Sequence, residues 1–286
     1  MGEAYYGHRL ISGCDEPGVC YEYMDQHLRG MRIVYDRYYA SRYNRFVNNL
    51  LLRWQGHREL CSKLPYLALA LHDLGKAIYQ DTLRSSCRAP RHEIASASLA
   101  WYMTKGVLCN RCKIVLALTI LLHHHAMRPP NKLLEQIDGY AREYSERIHA
   151  KYSIDNVVNY MNVAFSIYGI SWDIRLININ DLLDSFKAMS STFSRLVKAK
   201  SNGLFSKMPK FKEEYFGIYR LALTLLQPLI VSDITSARLQ RRPPCKNLEG
   251  SDVSEVDEEM LREVVDDSSK CNALAEALRQ KLGVKS

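Results

Sequence analysis

The sequence predicts an all-α protein, a helical bundle followed by a C-terminal helical appendage. Between Tyr21 and about Leu52, apolar residues recur at the spacing of a helix that buries one face. From His92 to Met103, alanine and serine dominate a run that lets a neighbouring helix approach closely. From Arg111 to Met127, apolar residues occupy almost every face, as in a helix at the centre of a core.

Composition divides the chain into three parts. Residues 1–20 are rich in glycine, contain two cysteines and are expected to form an N-terminal loop. Residues 21–244 form the main domain, which ends at the helix-breaking run Arg241-Arg-Pro-Pro244. Residues 245–286 are acidic and are expected to form a terminal helix.

Polar stretches separate the apolar ones within the main domain. We expect loops where serine, proline and lysine cluster, at Gln80–Arg91 and Ser190–Lys210, and a short extended segment at Ile177–Asn180. Further helices are expected at Glu59–Leu74, Asn131–Tyr152, Val157–Tyr168, Asp181–Met189 and Phe211–Arg241.

Basic residues are concentrated in the body of the chain. The net charge is +8, but ten acidic and five basic residues lie from Leu248 onward, so the residues before it carry about +13. A basic body is compatible with a polyanionic partner such as nucleic acid, and equally with an ordinary solvated surface. The sequence contains neither a run of about 18 apolar residues nor a signal-peptide pattern. We therefore expect a cytoplasmic protein with no membrane-spanning segment.

Eight cysteines are spread along the chain, and only Cys109 and Cys112 form a Cys-x-x-Cys pair. No second pair of this kind and no neighbouring pair of histidines completes a structural zinc site. We expect a turn that starts a helix and carries two incidental thiols. In a reducing compartment most of the cysteines would be free thiols, whereas in a hyperthermophile some could pair.

Two metal-competent residues, His72 and Asp73, follow the apolar, helix-favouring run Leu67-Ala-Leu-Ala-Leu71. A buried carboxylate is costly unless it is paired or binds a metal. Gly75 suits the end of a helix. Asp233 lies in a second apolar segment, where its carboxylate also needs a compensating partner.

Histidines occur at the ends or on the inner faces of the other apolar helices, namely His27, His92 and the triplet His123-His124-His125. Each alone is most often a core histidine. Adjacent residues of a helix point about 100° apart, so neighbouring side chains can face one metal from two directions. A shared metal cluster explains all of these residues at once, whereas a purely structural account needs a separate partner for each.

The ordered set of residues resembles the HD superfamily of metal-dependent phosphohydrolases. The shared features are His27, the pair His72-Asp73 followed by Gly75-Lys76, His92, histidines that close a helix, and Asp233. Over about residues 20–240, the chain is most similar to the CRISPR-associated HD nuclease of type I systems, which also occurs as a free-standing subunit.

This resemblance implies a nuclease that hydrolyses phosphodiester bonds of single-stranded DNA during CRISPR interference. Asp73 would bridge two divalent metal ions and, with Lys76, would be catalytic. Imidazole-rich coordination suits Mn, Ni, Co or Fe better than Mg. One ion would be held by His27, His72 and Asp233, and the other by His92 and two histidines of the triplet.

The histidine triplet can be aligned with the paired histidines of the family in two registers. The residue that follows the pair distinguishes them, because it is usually small in the family. Either His123-His124 is followed by His125, or His124-His125 is followed by Ala126. We prefer the second, since alanine is the closer substitute for glycine.

Basic residues near the cluster are candidates for DNA binding. Lys76 and Arg238 would contact the DNA, although Lys76 could instead be an exposed lysine that helps to cap a helix end. Further candidates are equally compatible with a solvated basic face: Lys198, Lys200, Lys207, Lys210, Arg241 and Arg242.

No GxxxxGK[ST] phosphate loop is present, so the helicase must be a separate chain. The expected partners are this helicase subunit, the RNA-guided surveillance complex and single-stranded DNA. Two other functions stay open, an HD-family phosphohydrolase of nucleotides or cyclic nucleotides and a non-catalytic docking subunit. Asp138-Gly-Tyr140 is followed by alanine rather than proline, so the signature of the cyclic-dinucleotide subclass is missing. The complete set of ligand types argues against a docking subunit.

Overall fold

A computed structural model confirms the all-α prediction. Helices make up nearly all the regular structure of the described residues, and the sheet found there has two strands. The expected terminal helix at 245–286 and most of the expected helix Asn131–Tyr152 lie outside the described part of the chain. The structure describes residues 10–14, 21–52, 59–124, 137, 139–140, 143–144, 146, 151–171, 178–201 and 209–240.

A short hairpin precedes the helices. Strands β1 (Ile11–Cys14) and β2 (Tyr21–Tyr23) pair in antiparallel fashion. Two 3₁₀ segments, Glu59–Lys63 and Leu74–Tyr79, flank the third helix. The helices are α1 (Met24–Tyr38), α2 (Ala40–Leu51), α3 (Leu64–Leu71), α4 (Gln80–Ser86), α5 (His92–Met103), α6 (Asn110–Leu122), α7 (Lys151–Tyr168), α8 (Ile179–Ser201) and α9 (Pro209–Gln240).

Helix α6 lies at the centre of the bundle, as its all-round apolar sequence predicts. It packs against α3, α5 and α9, and α9 in turn packs along α1. The small residues of α5 are buried where this helix contacts α6 and the 3₁₀ segment Leu74–Tyr79. This packing brings the ends of several helices to one place in the molecule.

The N-terminal part of the chain differs from the expected loop. Ile11–Cys14 forms β1, and Tyr21–Tyr23 forms β2 instead of beginning a helix. The side-chain amide of Gln80 holds β1 in place, since it accepts from the Ile11 N–H at 2.8 Å and donates to the Ile11 carbonyl at 2.9 Å. A disulfide between Cys14 and Cys87 joins the same strand to the end of α4.

Two expected loops are wrong in part, because buried residues at helical spacing lie within polar sequence. Residues Gln80–Ser86 form α4, in which Leu83 is buried and two serine hydroxyls donate to carbonyls one turn earlier. Helix α8 starts at Ile179, which replaces the expected extended segment, and continues through most of the expected serine-rich loop to Ser201. Phe186, Met189 and Phe193 form its buried stripe.

The long expected helix Glu59–Leu74 is divided into three pieces. A 3₁₀ turn precedes α3, which has Pro65 in its first turn, where proline costs no hydrogen bond. Helix α3 ends at Leu71, and His72 and Asp73 lie in the turn that leads into the second 3₁₀ segment. The tight turn allows both side chains to point toward the same cluster.

One stretch among the described residues, Tyr215–Ala237 in α9, is long and apolar enough to cross a membrane by length and composition alone. Half of its apolar window is buried inside the molecule. A core helix of a globular protein passes the same test, so this stretch is weak evidence for a membrane span.

Candidate metal centre

Five elements bring histidine and aspartate side chains to one buried cluster. Helix α1 supplies a histidine from its second turn, the turns after α3 and α6 supply two neighbouring residues each, α5 supplies its first residue, and α9 supplies an aspartate. These residues are His27, His72, Asp73, His92, His123, His124 and Asp233. Each of them was predicted from the sequence as a metal ligand.

The first group of possible ligands consists of His27, His72, Asp73 and Asp233, whose ligand atoms all lie within 4.8 Å of one another. Nε2 of His27 is 3.2 Å from Oδ1 of Asp233 and 3.7 Å from Oδ2 of Asp73. Nε2 of His72 is 3.3 Å from Oδ2 of Asp73 and 3.7 Å from Oδ1 of Asp233. Two imidazole nitrogens and two carboxylate oxygens therefore surround one point.

The second group consists of Asp73, His92, His123 and His124, again with ligand atoms within 4.8 Å of one another. Nε2 of His92 is 3.1 Å from Oδ1 of Asp73 and 3.0 Å from Nε2 of His124. Asp73 thus belongs to both groups, with Oδ2 toward the first and Oδ1 toward the second. A carboxylate in this position can bridge two cations.

Contacts at the second ring nitrogen orient four of the imidazoles. Nδ1 of His72, His92 and His123 faces the backbone carbonyl of the residue three positions earlier, at 3.0, 2.8 and 2.5 Å respectively. A carbonyl only accepts, so Nδ1 carries the proton and Nε2 is left to face the cluster. His27 differs, because its Nδ1 lies 2.5 Å from a carboxylate oxygen of Glu22.

Several buried polar atoms of the cluster have no hydrogen bond of acceptable geometry within the described structure. They are Nε2 of His27, His72 and His123 and Oδ1 of Asp73. Buried polar atoms without hydrogen bonds are rare and costly in native proteins. Cations bound between these atoms would satisfy all four, so the residues fit a metal centre of nitrogen and oxygen ligands.

Charge differs between the two groups. In the first, burial lowers the pKa of His27, but Glu22 and Asp233 raise it, to about 9. Burial also lowers the pKa of His72, but the two aspartates, Asp73 first, raise it to about 10. Burial works against ionisation of Asp73 and Asp233, yet the neighbouring cationic groups hold the pKa of both carboxyls well below the usual range. The metal-free first group therefore consists of imidazolium and carboxylate pairs.

Two histidines of the second group, His123 and His124, are held neutral. Burial and the neighbouring histidines lower the pKa of His123 far below its ordinary value. Burial, and then His92, lower the pKa of His124 to about 4. His124 is the exposed member of the group, so the cluster opens to solvent on its side. Neutral imidazoles are the form that binds a metal.

Lys76 lies against the shared carboxylate. Its Nζ is 2.7 Å from Oδ2 of Asp73, and its side chain is only 12% exposed. Burial lowers the pKa of Lys76, but Asp73 raises it above its usual value. The sequence also allowed Lys76 to be an exposed lysine that caps a helix end. This interpretation is wrong for the metal-free protein, in which the ammonium is a counter-ion of the cluster.

Two glycines allow the elements that carry the cluster to pack closely. A Cβ at Gly75 would lie 2.3 Å from the carbonyl oxygen of His92 and 2.7 Å from the N–H of Ser96, whose hydroxyl accepts from the Gly75 N–H. A Cβ at Gly30 would lie 2.4 Å from Oγ of Ser236, which donates to the His27 carbonyl. Gly75 is thus required by the approach of α5 rather than by a helix end.

Glu22 and Ser12 are site residues that the sequence did not reveal. Glu22 is buried on β2 beside His27, and the Ser12 hydroxyl donates to Oδ2 of Asp73 at 3.4 Å. Both come from the hairpin that was expected to be a loop and the start of a helix. A charged glutamate between two tyrosines, Tyr21 and Tyr23, was the available signal for a strand with one buried polar residue.

Two members of the histidine triplet lie in the described part of the chain. His123 and His124 are in the cluster, whereas the preferred second register leaves His123 out. His125 and the side chain of Arg238 lie outside the described residues, as do the side chains of the other basic residues considered for DNA binding.

Comparison with protein-family models, with curated proteins and with solved structures found no match for this chain.

Proposed function

We propose that the protein is a metal-dependent nuclease that hydrolyses phosphodiester bonds of single-stranded DNA, as the resemblance to HD nucleases implies. The observation that carries this proposal is the position of Asp73 between two ligand groups, with one carboxylate oxygen toward each. Two cations about 3.5–4 Å apart can generate a nucleophile from water and stabilise both the entering and the leaving oxygen of a phosphodiester.

The chain's own residues have separable tasks in this proposal. His27, His72 and Asp233 hold one ion, His92, His123 and His124 hold the other, and Asp73 contributes to both. Backbone carbonyls fix the ring orientation of three of the histidines, so little reorganisation is needed when ions bind. The ions are of the Mn, Ni, Co or Fe type, since nitrogen ligands predominate.

Lys76 is the residue proposed to contact a substrate phosphate. Its ammonium lies 2.7 Å from the oxygen of Asp73 that faces the first group. When that oxygen is shared with a metal ion, the ammonium loses its partner and is available for an anion beside the cluster. Lys76 is also near the solvent-exposed side, where Asp233 is 18% exposed.

A polymeric substrate is favoured over a free nucleotide by the charge of the chain before Leu248, about +13. A cluster that is open to solvent at His124 would be reached by a strand from that side. As the resemblance implies, a separate helicase subunit and an RNA-guided complex would supply the single strand.

The test is cleavage of end-labelled single-stranded DNA by metal-free protein to which Mn²⁺ or Ni²⁺ is added back. We expect cleavage by the wild type and a loss of at least about 10³-fold in Asp73→Ala, since both ions lose a ligand. Asp184→Ala is the matched control, because Asp184 is 76% exposed on α8, and it should cleave like the wild type.

Other outcomes would overturn the proposal in distinct ways. Hydrolysis of nucleotides or cyclic nucleotides without DNA cleavage would assign the same cluster to a small-molecule phosphohydrolase. Failure to bind Mn²⁺ or Ni²⁺, measured by metal analysis after gel filtration, would instead favour a non-catalytic docking subunit. Single-stranded RNA, tested as a separate substrate in the same assay, would show whether the protein tolerates a 2′-hydroxyl in the strand.

A further inference from the structure

Three cysteines form a second cluster, away from the histidines and aspartates. Cys61 lies in the 3₁₀ segment Glu59–Lys63, Cys109 immediately precedes α6, and Cys112 lies in the first turn of α6. The three sulfur atoms lie within 4.8 Å of one another, and those of Cys61 and Cys109 are 3.6 Å apart. Chain segments separated by almost fifty residues thus bring their thiols together.

The spacing of the sulfurs matches a metal site better than a disulfide. A tetrahedral ion with Zn–S bonds of about 2.3 Å places its sulfur ligands about 3.8 Å apart. A disulfide needs sulfurs about 2.05 Å apart and would include only two of the three cysteines. The 3.6 Å separation between Cys61 and Cys109 is close to the edge of a zinc–sulfur tetrahedron.

The surroundings of the thiols also suit a metal. Cys61 and Cys112 are fully buried, whereas Cys109 is only partly so, which leaves a side from which an ion and a fourth ligand can enter. The backbone N–H of Cys112 donates to Sγ of Cys109 at 3.4 Å. Hydrogen bonds of this kind support thiolate ligands in metal sites.

We propose that Cys61, Cys109 and Cys112 bind a structural Zn²⁺ through three thiolates, with the fourth position open to a solvent molecule or another donor. Zinc is the cation of choice because thiolates prefer soft or borderline ions and because a buried structural site has no need of redox chemistry. This site was not predicted from the sequence, because no second Cys-x-x-Cys pair and no neighbouring pair of histidines accompanies Cys109 and Cys112.

The position of this site gives it a structural role. Cys61 lies just before α3, and the other two cysteines lie at the start of α6. His72 and Asp73 follow the far end of α3, and His123 and His124 follow the far end of α6. The bound ion would tie the beginnings of two contacting helices whose ends carry the histidine–aspartate cluster, about 20 Å away along α6.

The test uses the full-length protein, a phosphine reductant and Co²⁺ as the spectroscopic probe. Thiolate ligands give cobalt an intense charge-transfer band in the near ultraviolet, which imidazole and carboxylate ligands do not. We expect the band in wild type and in Asp73→Ala, and its loss, with the loss of one bound Co²⁺, in Cys61→Ser and Cys112→Ser. The double variant Cys14→Ser/Cys87→Ser is the matched control and should keep the band. Added Zn²⁺ should displace the Co²⁺ and abolish the band.

A wild-type protein without the band, or variants that keep it, would overturn the proposal. Because a cysteine variant can unfold, alkylation of the wild type provides an independent measurement. Bound Zn²⁺ should slow labelling of the partly exposed Cys109 by about tenfold or more, as read by peptide mass spectrometry. A disulfide among the three cysteines, found in protein purified without reductant, would equally exclude the zinc site.

Discussion

The charge of each histidine in the metal centre follows from what surrounds its two ring nitrogens. His27 has the carboxylate of Glu22 on one side and those of the aspartates on the other. His123 has a backbone carbonyl at one ring nitrogen, and the neighbours in the described structure that shift its pKa are other histidines and Asp73. His27 and His72 are therefore held as cations in the first group, whereas His123 and His124 are neutral rings in the second.

We expect metal binding at the first group to release about two protons near pH 7.5. The raised pKa values of His27 and His72, about 9 and about 10, keep both rings protonated there, and a ring must lose a proton before its Nε2 binds a metal. The affinity of the first group for the metal ion should rise with pH until the pH exceeds both pKa values. It should fall as the pH drops below them. Calorimetry with Mn²⁺ in buffers of different ionisation enthalpy measures the proton count.

Glu22→Gln is the control for this measurement. The amide keeps an oxygen at Nδ1 of His27 but removes the charge that raises its pKa. We expect release of about one proton and an affinity about tenfold or more weaker at this group. Glu146→Gln, at an exposed position, should change neither quantity. Binding heats that are identical in all buffers for the wild type would contradict the charged rings.

At this scale the sequence predicted which residues lie together in the cluster, but not the residues that support them. Histidines and aspartates at the ends of apolar helices stand out, because burial of such groups without partners is costly. Glu22 and Ser12 do not stand out, since their roles depend on how a short hairpin folds back over the cluster. The end of α6 at Leu122 places His123 and His124 in the turn beside the cluster, which the local sequence did not indicate.

Close approach of α5 to the turn after α3 is what sets His92 opposite Asp73. The backbone of Gly75 contacts the first turn of α5 with no space for a side chain. A methyl group there would press on backbone atoms of His92 and Ser96, which cannot rotate away. The geometry of the cluster therefore depends on packing between elements as well as on the ligands themselves.

We expect Gly75→Ala to destabilise the metal-free protein by about 1–3 kcal/mol, because the added methyl overpacks a close contact. Denaturant titration of the metal-free protein gives this difference from the shift of the midpoint. The matched control is Gly139→Ala, since a Cβ at Gly139 meets no atom within 4 Å and alanine is the better helix former. Equal midpoints for wild type and Gly75→Ala would show that α5 can move away at no cost.

Elements in which apolar residues recur at a strong helical spacing were predictable from the sequence. Elements that are held in place by tertiary contacts were not. Helix α5 has its predicted bounds, and α6 begins one residue before its predicted start, because burial on nearly all faces leaves few alternatives for such sequences. Helix α6 ends at Leu122, before the expected end at Met127. Helix α8 was missed in its second half, where the buried stripe of Met189 and Phe193 is masked by serines and lysines. Strand β1 depends on the Gln80 side chain, a contact across 69 residues.

The hairpin, α4 and the metal centre form one connected unit in the whole molecule. The disulfide Cys14–Cys87 joins β1 to the end of α4, and the Gln80 amide joins the same strand to the start of α4. Residues of the hairpin then contact Asp73 and His27. Loss of the covalent link should therefore affect the stability of a part of the molecule that lies against the cluster.

We expect the double variant Cys14→Ser/Cys87→Ser to unfold with a free energy about 2–4 kcal/mol lower than the wild type, because the bond closes a loop with a sequence separation of 73. Denaturant titrations with and without a reductant measure this. The reductant should lower the wild type to the level of the variant and leave the variant unchanged. A wild type that is indifferent to reductant would mean that the bond contributes nothing to stability.

In the whole molecule, contacts between residues that are far apart in the sequence were predicted only where a resemblance linked those residues. The residues of the candidate metal centre were predicted together because the resemblance to HD proteins links them across about two hundred positions. The thiol cluster has no such pattern, and Cys61 joins Cys109 and Cys112 only through the packing of α3 on α6. The disulfide likewise pairs cysteines whose partners nothing in the sequence indicates.

The pairing of Lys76 with Asp73 has a consequence for the binding of a polyanion. Among the described groups of the first site, three carboxylates (Glu22, Asp73, Asp233) face three cations (His27, His72, Lys76), so the metal-free cluster is close to neutral. Two divalent ions that displace about two protons would leave an excess of about two positive charges. A polyanion should therefore be attracted more strongly to the metal-loaded cluster than to the metal-free one.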